Sequence, residues 1–95
     1  MELRGLNIFD KFLKKHQVAK KDLETWKAFI ERADWPSFEA LIKENPNTRY
    51  IDADRVVFKI SNRWRIDVFI MYEARLILIK RIGTHEEYNN WKYND

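Results

Sequence analysis

Apolar residues in the first half of the chain recur at spacings of three and four, which is typical of amphipathic helices. Phe9, Phe12 and Leu13 would share one helical face with Ile8, while the lysines between them would point away. Pro46 stops the last of these helices, because the residue before a proline avoids helical geometry. The predicted helices span residues 8–16, with Asn7 as the N-cap, residues 20–33 and residues 37–44.

From residue 55 onward the period changes to the alternation of β-strands. Residues 55–60 and 64–72 alternate apolar and polar side chains, whereas residues 75–82 are almost continuously apolar. A continuous apolar run is typical of a strand buried on both faces, so this third strand is predicted to lie inside the sheet. The gaps at 61–63 and 73–74 have the length of hairpin loops, which predicts three consecutive antiparallel strands.

A capping signal marks the start of a last helix. Thr84 is followed three residues later by Glu87, the pattern of a capping box, so a helix is predicted over residues 85–91. A further short strand is predicted over residues 2–6. The order of elements predicts one α+β domain over residues 1–95, in which N-terminal helices pack on an antiparallel sheet and a short C-terminal helix follows.

The composition excludes several kinds of chemistry. Cysteine is absent, which excludes disulfides, thiolate catalysis and cysteine-ligated zinc. The two histidines, His16 and His85, are far apart, and there is no glycine-rich phosphate loop, so neither a metal nor a cofactor is predicted. No apolar run has the length of a membrane span or a signal segment. Together with the missing cysteines, this predicts a cytoplasmic protein without membrane contact.

The charge balance differs between the two halves of the chain. Residues 1–54 carry ten basic and ten acidic side chains, so the whole net charge of +3 lies in residues 55–95. A modest basic excess suits a polyanion such as RNA, and it equally suits an ordinary mixed surface. Charge alone favours the mixed surface.

Strand pairing predicts which side chains share a face of the sheet. A turn at residues 73–74 would set the register of the last two strands. The resulting pairs are Tyr72 with Arg75, Val68 with Ile79, Asp67 with Lys80, Ile66 with Arg81 and Arg65 with Ile82. The face away from the helices is then predicted to carry the cations Lys59, Arg65 and Lys80, the carboxylate Asp67, and the apolar Val57, Phe69 and Leu78.

His85 is the candidate for proton transfer. It would take the first position of the last helix, at the rim of the cationic face, and Tyr88 would follow on the same helical face. The positive end of the helix dipole and nearby cations disfavour imidazolium, which suits a proton-transfer group. A histidine in this place can also be a polar residue that only closes a strand-to-helix turn, and this interpretation stays open.

Three motifs in the second half resemble those of a known family. They are the strand Arg55–Phe58, the hairpin segment Asn62–Arg65, and Gly83–Tyr88, which reads Gly-Thr-His-Glu-Glu-Tyr. In this order they resemble the HigB family of RelE-like toxins, and the similarity extends over essentially the whole chain. Trp64 stands where that family has a tyrosine, and Asn89 stands where it has an aspartate.

The resemblance implies a RelE-like fold and a metal-independent endoribonuclease that cuts mRNA, commonly during translation, by means of the RNA's own 2′-OH. It also implies a cognate HigA-like antitoxin with a helix-turn-helix domain. The residues that match the family's polar positions, and are therefore implied to be catalytic, are Arg65, Lys80, His85 and Tyr88. The candidate RNA-binding residues are Lys59, Arg63 and Phe69. Two alternatives stay open: a non-catalytic RNA-binding module, and a RelE-fold toxin that acts by binding a protein target.

Overall fold

Five strands form one mixed sheet in the computed structural model, which describes residues 1–93. The strands are β1 (Glu2–Arg4), β2 (Arg49–Asp52), β3 (Arg55–Ile60), β4 (Trp64–Met71) and β5 (Leu76–Thr84). The helices are α1 (Leu6–Lys15), α2 (Lys20–Arg32), α3 (Phe38–Glu44) and α4 (His85–Asn89), with one turn of 3₁₀ helix, Gln17–Ala19, leading into α2. Within the described residues, no helix has both the length and the apolar character needed to cross a bilayer.

The strand order β1-β5-β4-β3-β2 confirms the two predicted hairpins and the predicted first strand, which ends at Arg4 instead of residue 6, and it adds β2 at the opposite edge. The α+β class and the antiparallel β3-β4-β5 arrangement are as predicted. The prediction of a purely antiparallel sheet is wrong at one edge, because β1 pairs with β5 in parallel orientation. No tight turn joins these two strands, so no hairpin fixes their direction. β2 was outside the sequence prediction, because its four residues are mostly exposed and give no clear alternation.

The N-terminal helices lie where the apolar period predicts them, but α1 begins earlier. Gly5 precedes α1 with a left-handed φ of 88°, so Asn7 lies inside the helix and the prediction of Asn7 as its N-cap is wrong. A Cβ at Gly5 would lie 2.8 Å from the carbonyl oxygen of Ile79. Glycine is therefore needed here both for the turn and for the close approach to β5.

The capping box at the start of α4 is confirmed. The Thr84 hydroxyl accepts a hydrogen bond from the Glu87 N–H at 3.1 Å, and the Glu87 carboxylate accepts one from the Thr84 N–H at 2.9 Å. The helix ends at Asn89, so the predicted end at Trp91 is wrong and Trp91 lies beyond the helix.

The core lies between the helices and one face of the sheet. Alternate residues of the three central strands are buried there: Val56, Phe58, Ile66, Val68, Ile70, Ile77 and Ile79. The helices contribute Phe9, Phe12, Leu23, Trp26, Ile30 and Leu41. Full burial of such a side chain stabilises a fold by about 1.5–3 kcal/mol. β5 is an interior strand as predicted, but helices cover only one of its faces, and Leu78 on the other face is 38% exposed.

A bulge in β5 makes the predicted β4–β5 register correct at Val68 and wrong from Asp67 toward the start of β4. Val68 lies opposite Ile79 as predicted, and the register then shifts by one residue between Asp67 and Val68. Asp67 consequently pairs with Arg81 instead of Lys80. The remaining corrected pairs are Ile66 with Ile82 and Arg65 with Gly83. The extra residue keeps an apolar side chain opposite Ile66 and brings Arg81 to the face away from the helices.

Replacing Gly5 by alanine is expected to lower the free energy of unfolding by at least about 1–2 kcal/mol, because the left-handed backbone penalises a Cβ. The clash with β5 adds to this loss. Urea unfolding followed by circular dichroism measures the change. Asn7→Ala is the matched control and should alter stability by less than about 0.5 kcal/mol, because the exposed side chain lies inside α1. A larger loss for Asn7→Ala than for Gly5→Ala would contradict this start of α1.

The pH dependence of stability should report on Tyr72. Burial raises the pKa of this phenol to about 12, whereas the unfolded chain has a value near 10. The native state holds the proton more tightly, so this contribution is complete below the unfolded pKa and is lost as the pH rises through the folded value. Tyr72→Phe should therefore lose less stability above pH ~10 than the parent does. Equal alkaline profiles for the two proteins in thermal unfolding would show that the phenol is not buried as described.

Candidate functional site

Most of the candidate residues lie on the face of the sheet away from the helices, called the open face below. Registers of β2 to β5 place a mainly cationic set of side chains on it. Its members are Arg49, Arg55, Val57, Lys59, Arg65, Asp67, Phe69, Leu78, Lys80 and Arg81. The predicted cationic character of this face is thus confirmed, and the structure adds three arginines to it, Arg49, Arg55 and Arg81.

Arg65 and His85 form a direct pair at one end of the open face. The Arg65 side chain is buried, with the residue only 6% exposed. One of its Nη atoms donates to the Trp64 carbonyl oxygen at 3.0 Å, and the other lies 3.0 Å from Nδ1 of His85. A guanidinium has donors only, so Nδ1 is the acceptor in this contact and the ring proton is left on Nε2. Nε2 is therefore the atom of His85 that can exchange hydrogen bonds with a ligand.

The backbone explains why this pair forms. Gly83 lies opposite Arg65 in the β4–β5 register, which brings the end of β5 beside the guanidinium. The His85 N–H then donates to the Arg63 carbonyl oxygen at 3.0 Å, and the capping box starts α4 at this point. A strand end, a hairpin loop and a helix start therefore fix the imidazole from three sides.

Tyr88 lies one turn further along α4 and faces the same pair. Its ring centroid is 5.3 Å from the guanidinium carbon of Arg65 and 6.5 Å from the centroid of His85. Its hydroxyl accepts a hydrogen bond of 2.6 Å from Arg49 on β2. The phenol is thus held between two cations, so the predicted association of Arg65, His85 and Tyr88 is seen in the structure.

Asp67 is fully buried and joins two arginines of the open face. Arg55 donates to it through Nε at 3.0 Å and through an Nη atom at 2.7 Å, while Arg81 donates through Nε at 2.8 Å. The hydrogen bond to Asp67 raises the pKa of Arg55 above its ordinary value. This carboxylate therefore fixes the positions of two cations and partly offsets their charge.

The chain beyond α4 crosses the open face again. The Trp91 ring lies 4.3 Å from the guanidinium carbon of Arg81 and fills the space where Gly83 lacks a Cβ. The Tyr93 hydroxyl donates to Asp67 at 3.3 Å, and burial raises the pKa of this phenol. Aromatic rings of this segment therefore lie directly on the arginines that Asp67 holds.

In the described part of the chain, the side chains of the other predicted site residues make no hydrogen bond or ring contact with the Arg65 guanidinium or the His85 ring, and Lys80 and Phe69 lie apart from this pair. Lys80 is three residues along β5 from Gly83, a rise of about 10 Å, and its Nζ lies 5.4 Å above the ring of Phe69. Lys59 is beside Arg65 in the register and is exposed. The guanidinium of Arg63 stacks on the ring of Trp64, 5.0 Å away, so only its backbone carbonyl contacts His85.

Arg49, Arg55 and Arg81 belong to the open face but were missed by sequence reasoning. The predicted three-residue loop at 61–63 gives the β3–β4 register that is observed, which places Arg55 opposite Phe69 and could have revealed it. Arg81 reaches this face only through the bulge, and Arg49 only through β2, so neither had a clear signal. Among residues 1–93, no three His, Asp or Glu side chains are grouped so that they could hold a metal ion.

Comparison with known proteins gives one family. The family model HigB_toxin, described as the RelE-like toxic component of a toxin-antitoxin system, matches residues 19–91. The matched segment includes Arg65, His85 and Tyr88 together with the whole β2–β5 region. A search of curated proteins finds no match.

Removing the Asp67 carboxylate should destabilise the protein strongly. Asp67→Ala leaves two arginines without their buried partner, and because their side chains are 21% and 35% exposed, the expected loss is about 1.5–3 kcal/mol, the range for a hydrogen bond to a charged group. Chemical unfolding measures the loss. Asp34→Ala is the control, because Asp34 pairs with Arg75 while its side chain is 77% exposed, and an exposed pair contributes about 0–1 kcal/mol. Similar losses for both variants would mean that Asp67 is not the organising charge of the open face.

Proposed function

The chain belongs to the HigB family of RelE-like toxins, the toxic components of toxin–antitoxin systems, and on this premise we propose that it is a metal-independent endoribonuclease that cleaves mRNA. The single observation that supports this most is the contact between a buried guanidinium, Arg65, and the imidazole of His85 at the rim of a cationic face. A fixed positive charge beside a proton-transfer group is what cleavage of a phosphodiester requires.

The nucleophile would be the 2′-hydroxyl of the RNA itself. The 2′-oxygen bonds to phosphorus as the bond to the 5′-oxygen breaks, which yields a cyclic phosphate and a 5′-hydroxyl. One proton must leave the 2′-hydroxyl and one must reach the 5′-oxygen. His85 handles one of these transfers at Nε2, because its Nδ1 is occupied by Arg65.

Charge stabilisation is the main contribution of the arginine. The phosphorus gains negative charge in the transition state, and preorganised donors directed at such charge are usually the largest catalytic term. Arg65 is preorganised, since the Trp64 carbonyl and His85 hold both of its Nη atoms in place. Tyr88, held by Arg49, lies beside the pair and would contact the phosphate or stack on a base.

The remaining cations of the open face would hold the RNA strand. Lys80 and Phe69 lie beside each other, about 10 Å along the strands from the Arg65–His85 pair. At this distance they cannot contact the same phosphate as Arg65 and His85. We therefore assign Lys80 and Phe69 to RNA binding instead of chemistry. Lys59, an exposed cation beside Arg65, is assigned to RNA binding as well. Membership of the family implies an antitoxin partner, and we propose that this partner is HigA-like and that cleavage occurs in the cytoplasm on translated mRNA.

The test is cleavage of a defined mRNA by purified protein in the presence of a chelator, with and without ribosomes. Fragments should form in the chelator, and His85→Ala and Arg65→Ala should each lower the cleavage rate by about a hundredfold or more. Thermal unfolding checks that each variant is folded, and His85→Gln provides a milder change at the same position.

Lys14→Glu is the matched control, because Lys14 is an exposed cation on α1 outside the open face. Its cleavage rate should equal that of the parent. RNA that is bound but never cut would favour a non-catalytic RNA-binding module. Toxicity without RNA binding would favour a toxin that binds a protein target. Full cleavage by folded His85→Ala would remove the role given to this histidine.

A further inference from the structure

Tyr93 fills a recess of the open face to which no ligand has been assigned. The recess, called the arginine recess below, has Arg49, Arg55 and Arg81 around it and Asp67 at its base. The guanidinium carbons of these arginines lie 5.3, 5.2 and 5.3 Å from the centroid of the Tyr93 ring. The Tyr93 hydroxyl completes the contacts by donating to Asp67 Oδ2 at 3.3 Å. The recess therefore accepts one flat ring with one donor on its edge.

A nucleobase offers the same set of contacts. Its π-face stacks on arginine guanidiniums as a tyrosine ring does, and such stacking is tolerant of sequence. Its edge carries N–H groups, which a carboxylate accepts as it accepts the phenol. Asp67 is suited to this because Arg55 and Arg81 already hold its position. Only the hydrogen bond from the Tyr93 hydroxyl would be replaced by one from the base.

The place of the recess fits an RNA strand held for cleavage. Asp67 is two residues from Arg65 on the same face of β4, which corresponds to a separation of about 7 Å along the strand. A base in the recess would thus belong to a nucleotide next to the phosphate at Arg65. Phe69, with Arg55 5.1 Å and Lys80 5.4 Å from its ring, continues the alternation of rings and cations in the same direction.

We propose that the arginine recess is a nucleobase subsite for single-stranded RNA, and that Tyr93 occupies it in place of the base until RNA binds. The proposal rests on the proposed function. The Tyr93 ring then competes with the RNA base for the recess, and RNA must displace this ring to bind there. If the recess is open in only a fraction of the molecules, the apparent affinity for RNA is reduced in proportion to that fraction.

The experiment measures the Kd of a fluorescent, mixed-sequence 2′-O-methyl RNA by anisotropy at low salt. This RNA cannot be cleaved through its 2′-oxygen, so the measurement is independent of catalysis. Tyr93→Ala should bind about three- to tenfold more tightly than the parent, because the competing ring is gone. Tyr93→Phe, which keeps the ring and loses the hydroxyl, should fall between the two. Thermal unfolding confirms that each variant is folded.

Two further variants locate the effect in the recess. Tyr50→Ala is the matched control, because Tyr50 is 54% exposed and packs on Phe38 on the other side of the sheet. It should bind RNA as the parent does. Arg81→Gln placed in the Tyr93→Ala protein should cancel most of the gain, because the base would lose one of the guanidiniums on which it stacks.

Unchanged or weaker binding by Tyr93→Ala would overturn the proposal, and so would an Arg81→Gln change that has no effect in the Tyr93→Ala protein. Absence of RNA binding in both the parent and Tyr93→Ala would also overturn it. The subsite proposal and the endoribonuclease proposal can be contradicted independently. Tighter binding by Tyr93→Ala in a protein that cuts no RNA would support the subsite and contradict the endoribonuclease.

Discussion

The open face depends on one buried carboxylate. Cations that gather on one surface repel one another, and Asp67 offsets this repulsion by accepting hydrogen bonds from Arg55 and Arg81 at full burial. The bulge in β5 serves the same arrangement, because without it Arg81 would point into the core and Lys80 would lie opposite Asp67. The positions of Arg55 and Arg81, and of the aromatic rings that stack on these two arginines, follow from this single interaction.

The Arg65–His85 pair has a different origin, which is local. It results from the register that places Gly83 opposite Arg65, from the hydrogen bond of the His85 N–H to Arg63 in the β3–β4 loop, and from the capping box that starts α4 directly after β5. The two guanidinium contacts of Arg65 hold the imidazole with Nδ1 as the acceptor, and the short helix brings Tyr88 to the same end of the sheet. An imidazole and a fixed positive charge therefore meet without a contact from the N-terminal helices, which cover the opposite face of the sheet.

The sequence was sufficient wherever its signals were local. The apolar periods predicted the helices and the β3-β4-β5 meander, and the Thr84–Glu87 spacing placed His85 at the first turn of α4. A bulge has no comparable signal in one sequence, so the pairing of Asp67 with Arg81 could not be predicted. The parallel pairing of β1 is set by contacts distant in sequence, and β2 is too short and exposed to show a period. The site was thus predicted around His85 and missed around Asp67.

Arg65 and His85 are proposed to act as one unit on the phosphodiester. A double-mutant cycle tests this most directly, with single-turnover cleavage rates for the parent, Arg65→Ala, His85→Ala and the double variant. Residues that act as a unit are strongly non-additive, so the double variant should cleave no more slowly than the slower single variant. Losses that multiply, so that the double variant is slower by the product of the two single effects, would show that the two residues act independently and would contradict the account.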